Sequence, residues 1–223
     1  LLVFAGVRHS NDPSHGQWPI IEAKWQEFVA HKNDKKHLFI EGGVGKIPGD
    51  VDRAIIERGD PGFIQHHAQE DDIGFSAVEP DRQEEVEYLL SKFSREEMMA
   101  YYFARQVESW ARGYKDSEPD WRKYTQGSMD RYETFDALSG MNLSVDNLVN
   151  IYETVFGHSF DPENRSVLNG ESSPAKNPVA SACSSLRDAK LMEGILEKFQ
   201  AGYDVFINYG SGHAIILEPA LRE

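Results

Sequence analysis

The chain reads as an α/β protein: a mainly parallel sheet covered by helices on both faces, carrying a helical insertion or cap. Two observations predict this. Short, continuously apolar runs recur at LLVFAGV, KHLFI, IGFSAV and YDVFINY, with stretches of helical period between them. Strands that are apolar throughout are buried on both faces, and helices that alternate with them supply the cover. The length, 223 residues, suits a single domain over 1–223, able to bury roughly 70–75% of its unfolded surface.

Residues 1–7 are the first expected strand. WPIIEAKWQEFVAHK (18–32) spaces Ile21, Trp25, Phe28 and Val29 as a helix does. The second strand is expected in KHLFIEGG (36–43), broken by its glycines. Two short helices follow over 50–58 and 62–71, split by the Gly59-Asp60-Pro61 turn. The third strand is IGFSAVEP (73–80), and a helix with acidic residues in its first turn spans 81–93. Ser94, with Glu97 after it, predicts a capping box. The insertion is placed at 94–182: helices and loops to about 157, closed by Gly157, then a loop over 158–182 rich in Pro, Ser, Asn and Gly. A helix resumes over 184–200 with Gly202 as its stop, and the fourth strand is 203–210.

A net charge of −14 disfavours phosphate backbones and anionic lipid, so nucleic acid is not an expected partner. Cys183 is the only cysteine, which excludes a disulfide framework and a cysteine-rich zinc site. No run approaches the ~20 apolar residues of a membrane span, and no signal peptide is visible. These features point to a cytoplasmic setting. The chain opens on LLVFAG, without Met and inside a strand pattern, which leaves a preceding targeting segment open.

In an open parallel sheet, ligands bind beyond the carboxyl ends of the strands. The first strand is followed by His9 in GVRH, the second by Glu41 in IEGG, the third ends at Glu79, and the fourth is followed by His213 in GSGH. Two imidazoles and two carboxylates would then share one rim. A neutral imidazole serves as metal ligand or general base, and a carboxylate can complete a metal shell, orient a histidine or activate water. Two histidines and a carboxylate are a common catalytic set for zinc or manganese. Each residue also has a plainer reading: a hydrogen-bonded loop histidine, a turn carboxylate. Glu41, directly after LFI, is expected to need a partner. Arg187 is expected near a helix N-terminus, where a cation is unfavourable, so an anionic partner is expected for it, Glu41 or a substrate group.

Asp12 and His15 could add ligands but read better as a polar loop. His66-His67 reads as a surface pair and Cys183 as a structural thiol. EGGVGKIPG is not a phosphate loop, because Ile40 and Ile47 hold its glycine and Ser/Thr positions.

Taken together, GVRH, LFIEGG, LRDAKLMEGI and DVFINYGSGH resemble the TraB/TIKI-like group, over roughly 1–80 and 184–218. That group is placed with erythromycin esterases and haem-binding ChaN proteins in one superfamily. The resemblance implies peptide cleavage at a rim site. His9 and His213 would be metal ligands or bases, Glu41 the essential carboxylate and Arg187 the arginine of the helix before the last strand. From the rim residues themselves, the expected function is hydrolysis of an amide or ester at a divalent ion, manganese, cobalt or zinc, held by His9, His213, Glu41 and Glu79. Erythromycin esterases imply a metal-free histidine base instead, although they carry Glu where this chain has Gly6. ChaN-like members imply haem binding without turnover. The expected partner is a peptide or small-molecule substrate.

Overall fold

All four strands of the sheet run parallel, in the order β1-β4-β2-β3. The computed structural model describes residues 1–222. In chain order, β1 is Leu2–Val7, α1 Trp18–Ala30, β2 Lys36–Ile40, α2 Val51–Glu70 and β3 Gly74–Ser76. Then come α3 (Arg82–Leu90), α4 (Arg95–Ser109), a π-helical turn at Trp110–Tyr114, α5 (Trp121–Met129), α6 (Val145–Phe156), α7 (Arg165–Ser172) and α8 (Pro178–Gln200). The chain finishes with β4 (Asp204–Gly210) and α9 (Ser211–Leu221).

The chain divides into two compact units. The first joins Leu1–Glu79 to the chain from Arg187 onward, and the second is Pro80–Leu186. The helical piece therefore begins at Pro80, ahead of the 94–182 expected, and takes α3 with it. In the sheet unit, Trp25, Phe28, Leu38, Ile64 and Phe206 form the core on one face. Phe39, Leu191, Ile195, Val205 and Ile207 form it on the other. Alternate residues of β4 feed the two cores, as the two-residue strand period requires. The helical unit has its own core, built on Met98, Phe103, Val107, Leu148 and Leu168. The Ser94–Glu97 capping box and the left-handed Gly157 and Gly202 stops are present.

Three expectations need correction. Within 158–182, α7 replaces part of the expected loop: Asn164 caps it by accepting the Val167 N–H at 3.3 Å, and Leu168 is fully buried. The helix expected from 184 starts at Pro178. His66 and His67 are not a surface pair. The second half of α2 is buried on more than one side, the His67 ring packs edge-on to Phe63 at 4.6 Å, and His66 is buried.

At the opposite end of the sheet from the strand termini named above, His37 is the second residue of β2. Its Nε2 lies 2.9 Å from Ser76 Oγ, and burial, helped by Lys198, pushes its pKa down to about 4. The unfolded chain therefore takes up this proton first, near 6.5. The contribution of His37 to stability is complete above that value and is lost as pH falls from 6.5 toward 4. Urea unfolding of His37→Gln across this range is expected to show a shallower loss of stability than wild type; equal slopes would refute the assignment.

Candidate functional site

The rim at the carboxyl ends of β1, β4 and β2 is centred on β4, because the last strand in sequence inserts between the first two. Glu41 follows β2, and its backbone N–H continues the ladder to the Asn208 carbonyl at 3.2 Å. Its side chain, 12% exposed, turns toward β4, where Oε2 accepts the Gly210 N–H at 2.7 Å. Gly42 leaves the strand with φ +78°, a left-handed turn that suits glycine, and its N–H donates to Glu79 Oε1 at 2.9 Å. Arg187 donates to the same Glu79 oxygen and approaches Glu41 Oε1 at 3.5 Å.

The two histidines meet at Glu41. His9 Nε2 lies 3.5 Å from Oε2 and His213 Nε2 lies 3.8 Å from Oε1. Their other nitrogens face aspartates. His9 Nδ1 is 3.0 Å from Asp60 Oδ1, and His213 Nδ1 is 2.5 Å from Asp188 Oδ1. His9 is 60% exposed and His213 only 12%. His213 lies in the first turn of α9, and its ring meets Tyr209 edge-on at 5.8 Å. Burial, with Glu79 and Glu41 nearby, pushes the Tyr209 phenol well above its ordinary range, so it stays protonated.

The glycines of the two Gly-x-x-His motifs serve each other. A Cβ on Gly6 would lie 3.0 Å from Ala214 Cβ and 3.3 Å from Ser211 Cα, so the first motif leaves room for the helix that carries the second histidine. A Cβ on Gly210 would lie 3.2 Å from both Glu41 Oε2 and His9 Nε2, so the second leaves room for the first histidine and its carboxylate. Gly210 has φ −49°, so close approach rather than a left-handed turn is what it provides.

Asp60 was read from sequence only as part of a turn. Gly59, at φ +66°, breaks α2, and Pro61 follows Asp60 as the second half of the helix begins. Asn11 Nδ2 donates to the Ile55 and Ile56 carbonyls at 3.2 and 3.1 Å, satisfying acceptors that the break leaves without helical donors. This pins the loop after β1, with His9, against the break that carries Asp60. Asp188 adjoins Arg187 in the sequence and carries no signal of its own there. That arginine lies well inside α8, which starts at Pro178, so the helix-dipole argument for its partner fails while the partner itself, Glu41, is present.

Asp12 and His15 organise their own loop. Asp12 accepts the Ser14 N–H and hydroxyl at 2.9 and 2.7 Å, which holds its pKa below the usual range, and His15 Nδ1 accepts the Gln17 N–H. Cys183 is buried in the helical unit, its thiol donating to Glu85 at 3.2 Å.

The residues fit a resident divalent ion poorly. Among the described residues, no three His, Cys, Asp or Glu side chains are grouped to hold a metal. The Glu79 oxygen nearest the cluster is already taken by a backbone N–H and a guanidinium, and the same guanidinium stands at Glu41.

The fold and rim define an α/β protein with an imidazole–carboxylate cluster at the carboxyl edge of a parallel sheet. Comparison with family models, curated proteins and solved structures found no match for this chain. Among the described residues no helix is long and apolar enough to cross a membrane.

Gly6→Ala presses a side chain against helix atoms that cannot swing aside and is expected to cost about 1–3 kcal/mol. Gly210→Ala presses instead on the ends of two side chains, Glu41 Oε2 and the exposed His9 ring, rather than on backbone or a Cβ, and is expected to cost less. Urea unfolding of both variants measures the difference; equal losses would contradict it.

Proposed function

We propose that the chain hydrolyses amide or ester bonds with an imidazole of this rim as general base and without a resident metal. The observation that carries the reading is the placement of the two Nε2 atoms against opposite oxygens of one largely buried carboxylate, with a guanidinium beside it. His9, the exposed ring, is the base that meets water. It accepts a proton as the water oxygen attacks the substrate carbonyl. Glu41, held by the Gly210 N–H, lies beside the imidazolium that forms and lowers its energy. Arg187 supplies positive charge near the developing oxyanion. The proton then passes from His9 to the leaving amine or alkoxide, restoring the base. His213, whose Nε2 stands 3.8 Å from the far oxygen of Glu41, is the second proton carrier of the rim.

The chemical class of substrate is a carboxylic amide or ester, as a peptide or small molecule. With both imidazoles neutral, Asp60, Glu41, Glu79 and Asp188 outnumber the single Arg187, so the rim favours neutral or cationic substrates over anionic ones.

Turnover of a panel of p-nitrophenyl esters and fluorogenic peptides tests the reading. His9→Ala and Glu41→Gln are each expected to lower kcat about 10²–10⁴-fold with the circular dichroism spectrum unchanged. Excess EDTA is expected to leave wild-type turnover intact. Loss of turnover to EDTA, recovered on adding zinc, manganese or cobalt, would replace the metal-free reading with a metal-dependent one. A visible absorption band in the purified protein would favour haem binding instead.

A further inference from the structure

We propose that Asp60 and Asp188 are positioning residues that set both rim imidazoles in one tautomer, hydrogen on Nδ1 and lone pair on Nε2; only the consequence for rate rests on the hydrolase reading. A carboxylate can only accept, so the ring nitrogen within close hydrogen-bond reach of one carries the hydrogen, and here that is Nδ1, because each Nε2 stands farther off, 3.5 and 3.8 Å from Glu41. Asp60 Oδ1 faces His9 Nδ1 at 3.0 Å and Asp188 Oδ1 faces His213 Nδ1 at 2.5 Å. Both aspartate side chains are buried, 2% and 9% exposed, so water is a poor substitute for the ring N–H.

Asp60 is itself held. Its second oxygen accepts from Asn208 Nδ2 at 3.3 Å, and Asn208 is fully buried on the central strand. The two aspartates come from helices on opposite faces of the sheet: α2 packs with the Trp25 and Phe206 core, α8 with the Phe39 and Ile207 core. Each face thus supplies one anchor, and the anchored rings converge on the single carboxylate at the rim. With Nδ1 committed, only Nε2 is left to take a proton.

The pairs differ in what else restrains the ring. His213 is boxed against Tyr209 and nearly buried, so Asp188→Asn removes the tautomer preference while the ring stays in place. His9 is mostly exposed, so Asp60→Asn releases both tautomer and orientation.

The first experiment is long-range ¹H–¹⁵N NMR on the full chain labelled at histidine, read on the alkaline plateau where both rings are neutral. The expected result is an unprotonated Nε2 and a protonated Nδ1 at His9 and His213. The opposite tautomer at either ring overturns the proposal for that pair. In Asp188→Asn, the His213 signals are expected to move toward the Nε2–H tautomer, and kcat to fall about 10²–10⁴-fold with KM little changed. Asp188→Glu is expected to recover part of both. An unmoved His213 spectrum in folded Asp188→Asn overturns the role of Asp188, and if that variant does not fold, the wild-type spectrum still decides. The predicted tautomers together with undiminished turnover in His9→Ala would defeat the hydrolase reading and leave the tautomer assignment standing.

Discussion

The hydrogen bond from the Gly210 N–H to Glu41 Oε2, 2.7 Å long, ties the end of the central strand to the carboxylate that follows its neighbour. Glu41 sits where a charge would otherwise lack partners, directly after an apolar strand and only 12% exposed. A buried carboxylate is tolerated when donors surround it. Here a backbone N–H and a guanidinium do so, with two imidazoles placed just beyond. The missing Cβ of Gly210 lets this happen, because any side chain there would crowd both the carboxylate and His9. The placement of the other rim groups follows from where Glu41 is held.

Much of this was legible in the sequence, for a topological reason. A parallel sheet delivers the residue after each strand to the same edge, so apolar runs that end in His9, Glu41, Glu79 and His213 identify the rim without any knowledge of distances. The strands, the capping box at Ser94 and the left-handed stops at Gly157 and Gly202 were readable from local chemistry. The two aspartates were not. Asp60 looks like turn punctuation between Gly and Pro, and what makes it an anchor is a contact with a residue of the first loop, far away in sequence. Asp188 follows Arg187 on a helix whose true start at Pro178 was hidden by a Pro- and Ser-rich lead-in. Helix α7 was hidden in the same way: its polar composition resembles a loop, and only the buried Leu168 betrays a packed face.

Residue type and arrangement are separate matters at this rim. Two histidines and two glutamates have the composition of a metal shell. In the folded rim, Glu79 is spent on a backbone N–H and on Arg187, and the imidazoles point at a carboxylate already carrying donors. With their lone pairs committed in this way, the same side chains form a cluster of imidazoles, carboxylates and a guanidinium.

The strand order β1-β4-β2-β3 also bears on how the sheet unit is assembled. The first two strands of the sheet in sequence are not neighbours; the strand that joins them is synthesised some 200 residues after β1 begins. Until then both flank an empty slot, with backbone hydrogen-bonding groups that have no permanent partner. Contacts this distant in sequence are slow to form. At a synthesis rate of about 5–20 residues per second, the half-sheet persists for several seconds at least. Through that interval β1 and the β4-facing edge of β2 are open to pairing with any extended chain nearby.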